Sequence, residues 1–219
     1  MLENDVNNLV FSSTAAIFGN PVTDKIAEDH PKKPINPYGQ SKLMVENMLR
    51  DICSARDFSA TCFRYFNAAG ARKSGEIGEA HDPETHLIPN ILKSALSGGK
   101  ELKVFGDDYG THDGTCVRDY VHVTDLAQAH LLGLEKMKDR SGFSAYNLGC
   151  GDGFSVFDVI ESCQRVVGKR ISYDIEKRRE GDPDKLVADA TKAMRVLSWK
   201  PEFLDLDSII RTAWQWHTR

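Results

Sequence analysis

Tyr38-Gly39-Gln40-Ser41-Lys42 is the stretch whose residue types and spacing could do chemistry. Residues four apart on a helix lie on one face, about one turn apart. A phenol titrates near ~10 and is a poor base at neutral pH, whereas an ammonium held close favours the phenolate. Bringing a phenol to ~7 requires about 4 kcal/mol, at roughly 1.4 kcal/mol per unit. A Tyr–Lys pair that achieved this could take a proton from a substrate hydroxyl. The spacing alone is weak, because many exposed helix faces contain Y-x-x-x-K by chance. The flanking elements have to decide.

Asn36-Pro37 is a helix start, with Asn at the N-cap and Pro at the first helical position. The helix is expected to reach about Arg56, with Met44, Met48, Ile52, Val45 and Leu49 forming a core-facing stripe. Before it, residues 1–8 read as the end of a helix and Leu9-Val10-Phe11 as a buried strand. That strand runs into Ser12-Ser13-Thr14-Ala15-Ala16. Open α/β sheets place ligands just beyond such strands, so Thr14 is a candidate to hydrogen-bond a substrate hydroxyl. Its alternative role is a turn or cap hydroxyl. After the helix, Ala60 to Phe66 reads as a second strand ending in Asn67-Ala68-Ala69-Gly70. Strand, helix and strand make a right-handed crossover with both strands parallel.

Further along, His86-Leu87-Ile88-Pro89 opens a helix to about Leu96, and Lys103 to Tyr109 is a short strand and turn. A helix from about Asp125 to Lys138 is expected to turn Leu126, Ala129, Leu132 and Leu134 inward. Tyr146 to Gly149 is a strand, followed by a helix through Val166. A strand over Ile171–Ile175 and helices over Thr191–Leu197 and Leu206–Trp216 complete the pattern. The fold class is α/β, with strands and helices alternating along the chain.

The 219 residues suffice for one or two small domains. Composition is 41% hydrophobic and 27% charged, ordinary for a globular protein. A net charge of -4 gives no basic footprint for nucleic acid. No apolar run approaches the ~20 residues of a membrane span, and the first residues are no signal peptide. Five scattered cysteines without C-x-x-C read as reduced thiols in a cytoplasmic protein.

Thr14, Tyr38-x-x-x-Lys42 and Arg64-Tyr65-Phe66-Asn67-x-x-Gly70 resemble the extended short-chain dehydrogenase/reductase family, which acts on nucleotide sugars beside NAD. From Phe105 to Val123 the chain reads F-G-x-D-Y-x-T-x-D-G-T-x-V-R-D-Y-V-H-V. With Arg178-Arg179-Glu180-Gly181-Asp182, this is similar to the family's UDP-glucose 4-epimerases over nearly the whole chain.

The resemblance implies an isomerase that interconverts UDP-glucose and UDP-galactose, with NAD as bound cofactor. C4 oxidation, rotation of a 4-keto sugar and re-reduction would make the cycle. It assigns Thr14, Tyr38 and Lys42 to catalysis, and Ser12, Tyr38, Lys42 and Phe66 to the cofactor. Asn67, His86, Leu87, Lys103, Val104, Phe105, Arg118, Arg179, Asp182 and Leu186 fall to the UDP-sugar, with Leu186 gating the sugar's C2 side. His86 stands where the family often has asparagine. Ala15 and Ala16 occupy the places of the acid–base pair of related 4,6-dehydratases, so dehydration lacks its groups. Residues 1–69 and 117–152 would belong to the NAD-binding domain, and 70–116 and 153–219 to the UDP-sugar-binding cap. A homodimer is implied for the complete enzyme.

The family's opening G-x-x-G-x-x-G turn does not occur in the sequence. The resemblance therefore implies an α/β fold with a partial Rossmann-type parallel sheet (first strands missing) and a smaller α/β substrate-binding domain, in a chain lacking the N-terminal third, inactive and without NAD on its own. The alternative is a non-catalytic UDP-binding fragment or a subunit of a split enzyme. Two other motifs compete. Leu148-Gly149-Cys150-Gly151-Asp152-Gly153 is similar to the glycine loop of S-adenosylmethionine methyltransferases, but Asn147 stands where an acid is expected. His81-Asp82-Pro83-Glu84-Thr85-His86 offers metal-type ligands, but not at H-E-x-x-H spacing, and Pro83 breaks any helix. It is read as a surface loop, with no metal expected.

Overall fold

The computed structural model describes residues 1–98, 102–138 and 141–219. In chain order the elements are β1 (Asn8–Thr14), α1 (Pro37–Ala55), β2 (Ser59–Tyr65), β3 (Asn67–Ala69), α2 (Leu87–Leu96), β4 (Lys103–Phe105), β5 (Val117–Arg118) and β6 (Tyr120–His122). They continue with α3 (Val123–Lys136), β7 (Gly142–Leu148), β8 (Phe154–Ser155), α4 (Val156–Val167), β9 (Asp174–Glu176), β10 (Lys185–Leu186), α5 (Thr191–Leu197) and α6 (Leu206–His217). No helix among the described residues is long and apolar enough to cross a membrane.

The main sheet has the order β1-β2-β7, all parallel, so β1 and β2 flank the α1 crossover as expected. Successive residues of a strand face opposite ways. Ala60 and Cys62 of β2 accordingly pack with Leu49 on the α1 side. Phe63 packs on the other side with Leu126 and Ala129 of α3 and Ala193 and Leu197 of α5. Both faces are covered, as a parallel sheet requires. A separate cluster joins α2, α4 and α6 through Ile91, Leu92, Val159, Ile160, Ile209 and Ile210. The pairs β3–β6 and β4–β9 and the three strands β10-β5-β8 connect the two regions. α5 and Trp199 pack with the main sheet, not with the α2–α4–α6 cluster.

Several expectations need correction. Residues 1–8 hold one 3-10 turn, Leu2–Asn4, closed by Asp5 in the left-handed conformation (φ 55°), and not a helix end. Val45, Leu49 and Ile52 face the core as expected, but Met44 and Met48 are 56% and 61% exposed, so only part of the stripe read from hydropathy turns inward. Glu46 is fully buried instead, because Arg64 of β2 lies buried beneath it and binds both its oxygens at 2.7 and 3.0 Å. Leu134 is 48% exposed. Gly133 takes the buried place beside Phe63, whose ring would stand 2.6 Å from an added Cβ. The strand expected over Ile171–Ile175 begins only at Asp174. Ile171 is buried in the α2–α4–α6 cluster, and its N–H donates to the Gln164 side chain.

Candidate functional site

The carboxyl ends of β1 and β2 open onto a cavity of about 1410 Å³. Asn36 caps α1, its Oδ1 accepting the Gly39 N–H at 2.8 Å. Gly39 lies so close to the segment after β1 that a Cβ would come within 2.3 Å of the Ala16 carbonyl oxygen. That close approach sets Tyr38 beside the end of β1. Thr14 and Tyr38 both line the cavity, Thr14 buried and Tyr38 56% exposed. Thr14 Oγ1 accepts the Ala16 N–H at 3.1 Å, which leaves its own O–H to donate. Lys42 donates to the Ser12 carbonyl at 3.0 Å and sits 5.8 Å from the Tyr38 ring centroid. Lys42 and Ser12 do not themselves line the cavity; Phe66 and Asn67 do.

The same cavity is also lined by cationic and aromatic groups. The Arg179 guanidinium stacks 3.9 Å from the Phe105 ring centroid. Arg118, buried, donates to the Val117 carbonyl at 2.9 Å and to Asp182 at 3.0 Å. Lys103, Val104, His86 and Leu87 also line it, Lys103 pairing with Glu176 at 3.1 Å. Leu186 does not reach the cavity. It packs against the cluster of Ala15, Ile17, Phe18 and Ile26, beside Arg118 in the β10–β5 register. The cavity also takes Tyr65 and His81, which lie in motifs quoted above without being assigned to the site, and Glu79, Lys93, Trp216 and His217, which sequence reasoning missed because no motif marks them.

Buried polar groups brace these walls. Asp119 lies between β5 and β6, fully buried, and accepts the N–H groups of Cys150, Gly151 and Ala188 at 2.7 to 3.0 Å. Burial pushes its carboxyl up to about 6, against the pull of those three donors. The loop after β7 thus gives the Cys150 and Gly151 N–H groups to Asp119 and not to a ligand, which speaks against the methyltransferase-like reading. His122 is fully buried and stacked on Phe203, ring centroids 3.6 Å apart. Its Nδ1 accepts the Thr124 N–H, and its Nε2 faces Thr212 Oγ1 at 2.9 Å. Burial lowers its pKa to about 4. Gly70 (φ 87°) covers this imidazole, and a Cβ there would fall 2.4 Å from His122 Cδ2. Glu46 is subject to the same upward push of burial, but Arg64 and Ser13 hold its carboxyl below the usual range.

The chain is 51% identical over 217 residues to a UDP-glucose 4-epimerase of Lactobacillus helveticus, covering 99% of this chain and 66% of that protein. It is 48% identical to one of Halalkalibacterium halodurans, covering 99% and 65%. The chain thus spans just under two thirds of these relatives' length. Among solved structures it superposes with a TM-score of 0.95 on the UDP-glucose-4-epimerase of Stenotrophomonas maltophila, crystallised with NAD and formylated UDP-arabinopyranose. That match has 41% identity and covers 100% of this chain and 65% of that one. The Bifidobacterium longum enzyme, in complex with NAD+ and UDP, gives the same TM-score and identity, covering 100% and 65%. The profile of the NAD dependent epimerase/dehydratase family matches residues 1–149, which hold the three strands of the main sheet, Tyr38, Lys42 and Arg118, and it is to this family that the chain belongs.

Proposed function

We propose that the protein carrying this chain interconverts UDP-glucose and UDP-galactose by NAD-dependent epimerisation at C4. The observation that carries the reading is one cavity lined by two chemically distinct sets of groups: a hydroxyl and a phenol, Thr14 and Tyr38, at the strand ends, and Arg118, Arg179 and Phe105. Its volume, about 1410 Å³, exceeds the ~300–1,000 Å³ that suits a single small ligand, as a site for a nucleotide sugar beside a dinucleotide should.

NAD, when bound, supplies the hydride acceptor for the sugar C4. The residues at the reacting end fit it: Lys42 is a cation one turn from Tyr38, and Phe66 offers an aromatic face on the same wall. Tyr38 takes the C4 hydroxyl proton, and Thr14 donates its free O–H to the same oxygen. Arg179 and Arg118 hold the diphosphate, because guanidinium groups bind phosphate oxygens bidentately. Asn67, His86, Leu87, Lys103, Val104 and Phe105 shape the uridine and sugar sides. We assign 1–69 and 117–152 to cofactor binding and 70–116 with most of 153–219 to the sugar nucleotide; residues 190–199 pack with the main sheet. Five free thiols suit the cytoplasm. The exposed Met44 and Met48 of α1 are the face we expect a second copy to cover in a homodimer. A UDP-binding role without catalysis is the second reading, which Arg118, Arg179 and Phe105 alone would serve.

The test is to purify the protein, record the absorbance of bound nicotinamide and assay UDP-galactose conversion. Tyr38→Phe should lower turnover at least ~10²-fold while UDP binding stays within about twofold. Near-normal turnover in that variant would remove Tyr38 from the mechanism. UDP binding with no bound NAD and no conversion would favour the second reading.

A further inference from the structure

We propose that Glu79, His81, Glu84 and His86 form a binding site for one divalent cation of the zinc type at the rim of the cavity. One ligand atom from each residue lies within 4.8 Å of every other. His86 Nδ1 stands 2.7 Å from Glu79 Oε1 and 2.9 Å from Glu84 Oε1, and His81 Nδ1 stands 3.0 Å from Glu79 Oε1. A ring nitrogen carries either one proton or one lone pair, so His86 Nδ1 cannot serve two carboxylates well. A cation among the four atoms satisfies all of them at once.

The Glu84 side chain is 4% exposed and held from both sides: its Oε2 pairs with Lys93 Nζ at 3.7 Å, while its Oε1 faces His86 Nδ1 at 2.9 Å. Its Oε1 is already aimed, taking the N–H groups of Thr85 and His86 at 2.8 and 2.9 Å. Outer hydrogen bonds of this kind orient metal ligands. Two imidazoles and two carboxylates make an N2O2 set that suits a borderline divalent ion such as Zn2+, with charges that cancel. Bonds of about 2.1 Å put tetrahedral ligand atoms roughly 3.4 Å apart, so modest side-chain movement closes the site. The H-E-x-x-H rule misses it because these ligands converge from an irregular segment, not from one helix face. The cation ties residues 79–86 to the first turn of α2, whose N-cap, His86, makes no side-chain capping bond.

Co2+ is a suitable probe, because its visible bands report coordination and a thiolate ligand adds a charge-transfer band. The metal-stripped protein should take up about one equivalent of Co2+, show no thiolate band, and release it to Zn2+. Loss of even an outer-shell partner costs about 10–100-fold in metal affinity, so His81→Ala and Glu84→Gln should each weaken Zn2+ binding at least ~10-fold. Zn2+ competition against a chromophoric chelator reads this directly, with far-UV circular dichroism as the fold control. His81 is 60% exposed on its side chain, so its replacement leaves the fold intact even if Glu84→Gln does not. Absence of binding, a thiolate band, or unchanged Zn2+ affinity in His81→Ala would overturn the proposal.

Discussion

His122→Gln should flatten the acid side of the stability curve, and the effect can be worked out from the site. Folded His122 titrates at about 4, against 6.5 unperturbed. Its pKa is depressed because the neutral ring is stacked and buried, with Nδ1 committed as an acceptor from Thr124. A depressed value means the unfolded chain binds the proton first as pH falls. The contribution is intact above 6.5 and is lost progressively down to about 4. The full span of 2.5 units is about 3.4 kcal/mol at roughly 1.36 kcal/mol per unit. Between about pH 7.5 and about pH 4.5, linkage assigns about 2.5 kcal/mol of that loss to His122. Gln cannot titrate, so urea unfolding at the two pH values should show the wild type losing about 2.5 kcal/mol more than the variant. Comparing the two proteins cancels every other titrating group, including Asp119, whose raised value acts with the opposite sign. Equal losses would show that His122 is not held neutral by its burial, and the argument from the stacked ring would fail.

Asp119→Asn should destabilise by about 1–3 kcal/mol near neutral pH, because an amide cannot accept all three N–H groups. It should also abolish a stabilisation that the wild type gains as pH falls through about 6 towards 3.8, read from the same urea series. Glu46→Ala leaves the Arg64 cation buried and unpaired and should cost about 3–5 kcal/mol in urea unfolding; pairing Glu46→Leu with Arg64→Met should recover most of it. Gly70→Ala forces a Cβ onto the His122 ring and should lower Tm and slow turnover together. Retention of both would mean that the loop after β3 can move aside.

Sequence alone determined the local pieces that a short stretch can encode. Asn36-Pro37 fixed where α1 begins, and the Y-x-x-x-K spacing fixed that Tyr38 and Lys42 share a face, because capping and helical period act within a few residues. The apolar strands announced a parallel sheet covered on both sides, and the run from Phe105 to Val123 carried the family. Only the tertiary structure decided which helix faces turn inward. Hydropathy put Met44 and Met48 in the core; the buried Arg64 claimed Glu46 instead, a partner 18 residues away. Leu186 looked like part of the sugar site by resemblance; the β10–β5 register sets it beside Arg118, and its side chain packs against Ala15, Ile17, Phe18 and Ile26. Glu84 and the two histidines read as a loop because no helix spacing unites them, and Glu79 lay outside that motif. Their convergence depends on the path of the chain between residues 79 and 86, which no periodic signal records. Pairwise contacts across long separations carry these outcomes, and a linear pattern registers only what neighbours along the chain impose.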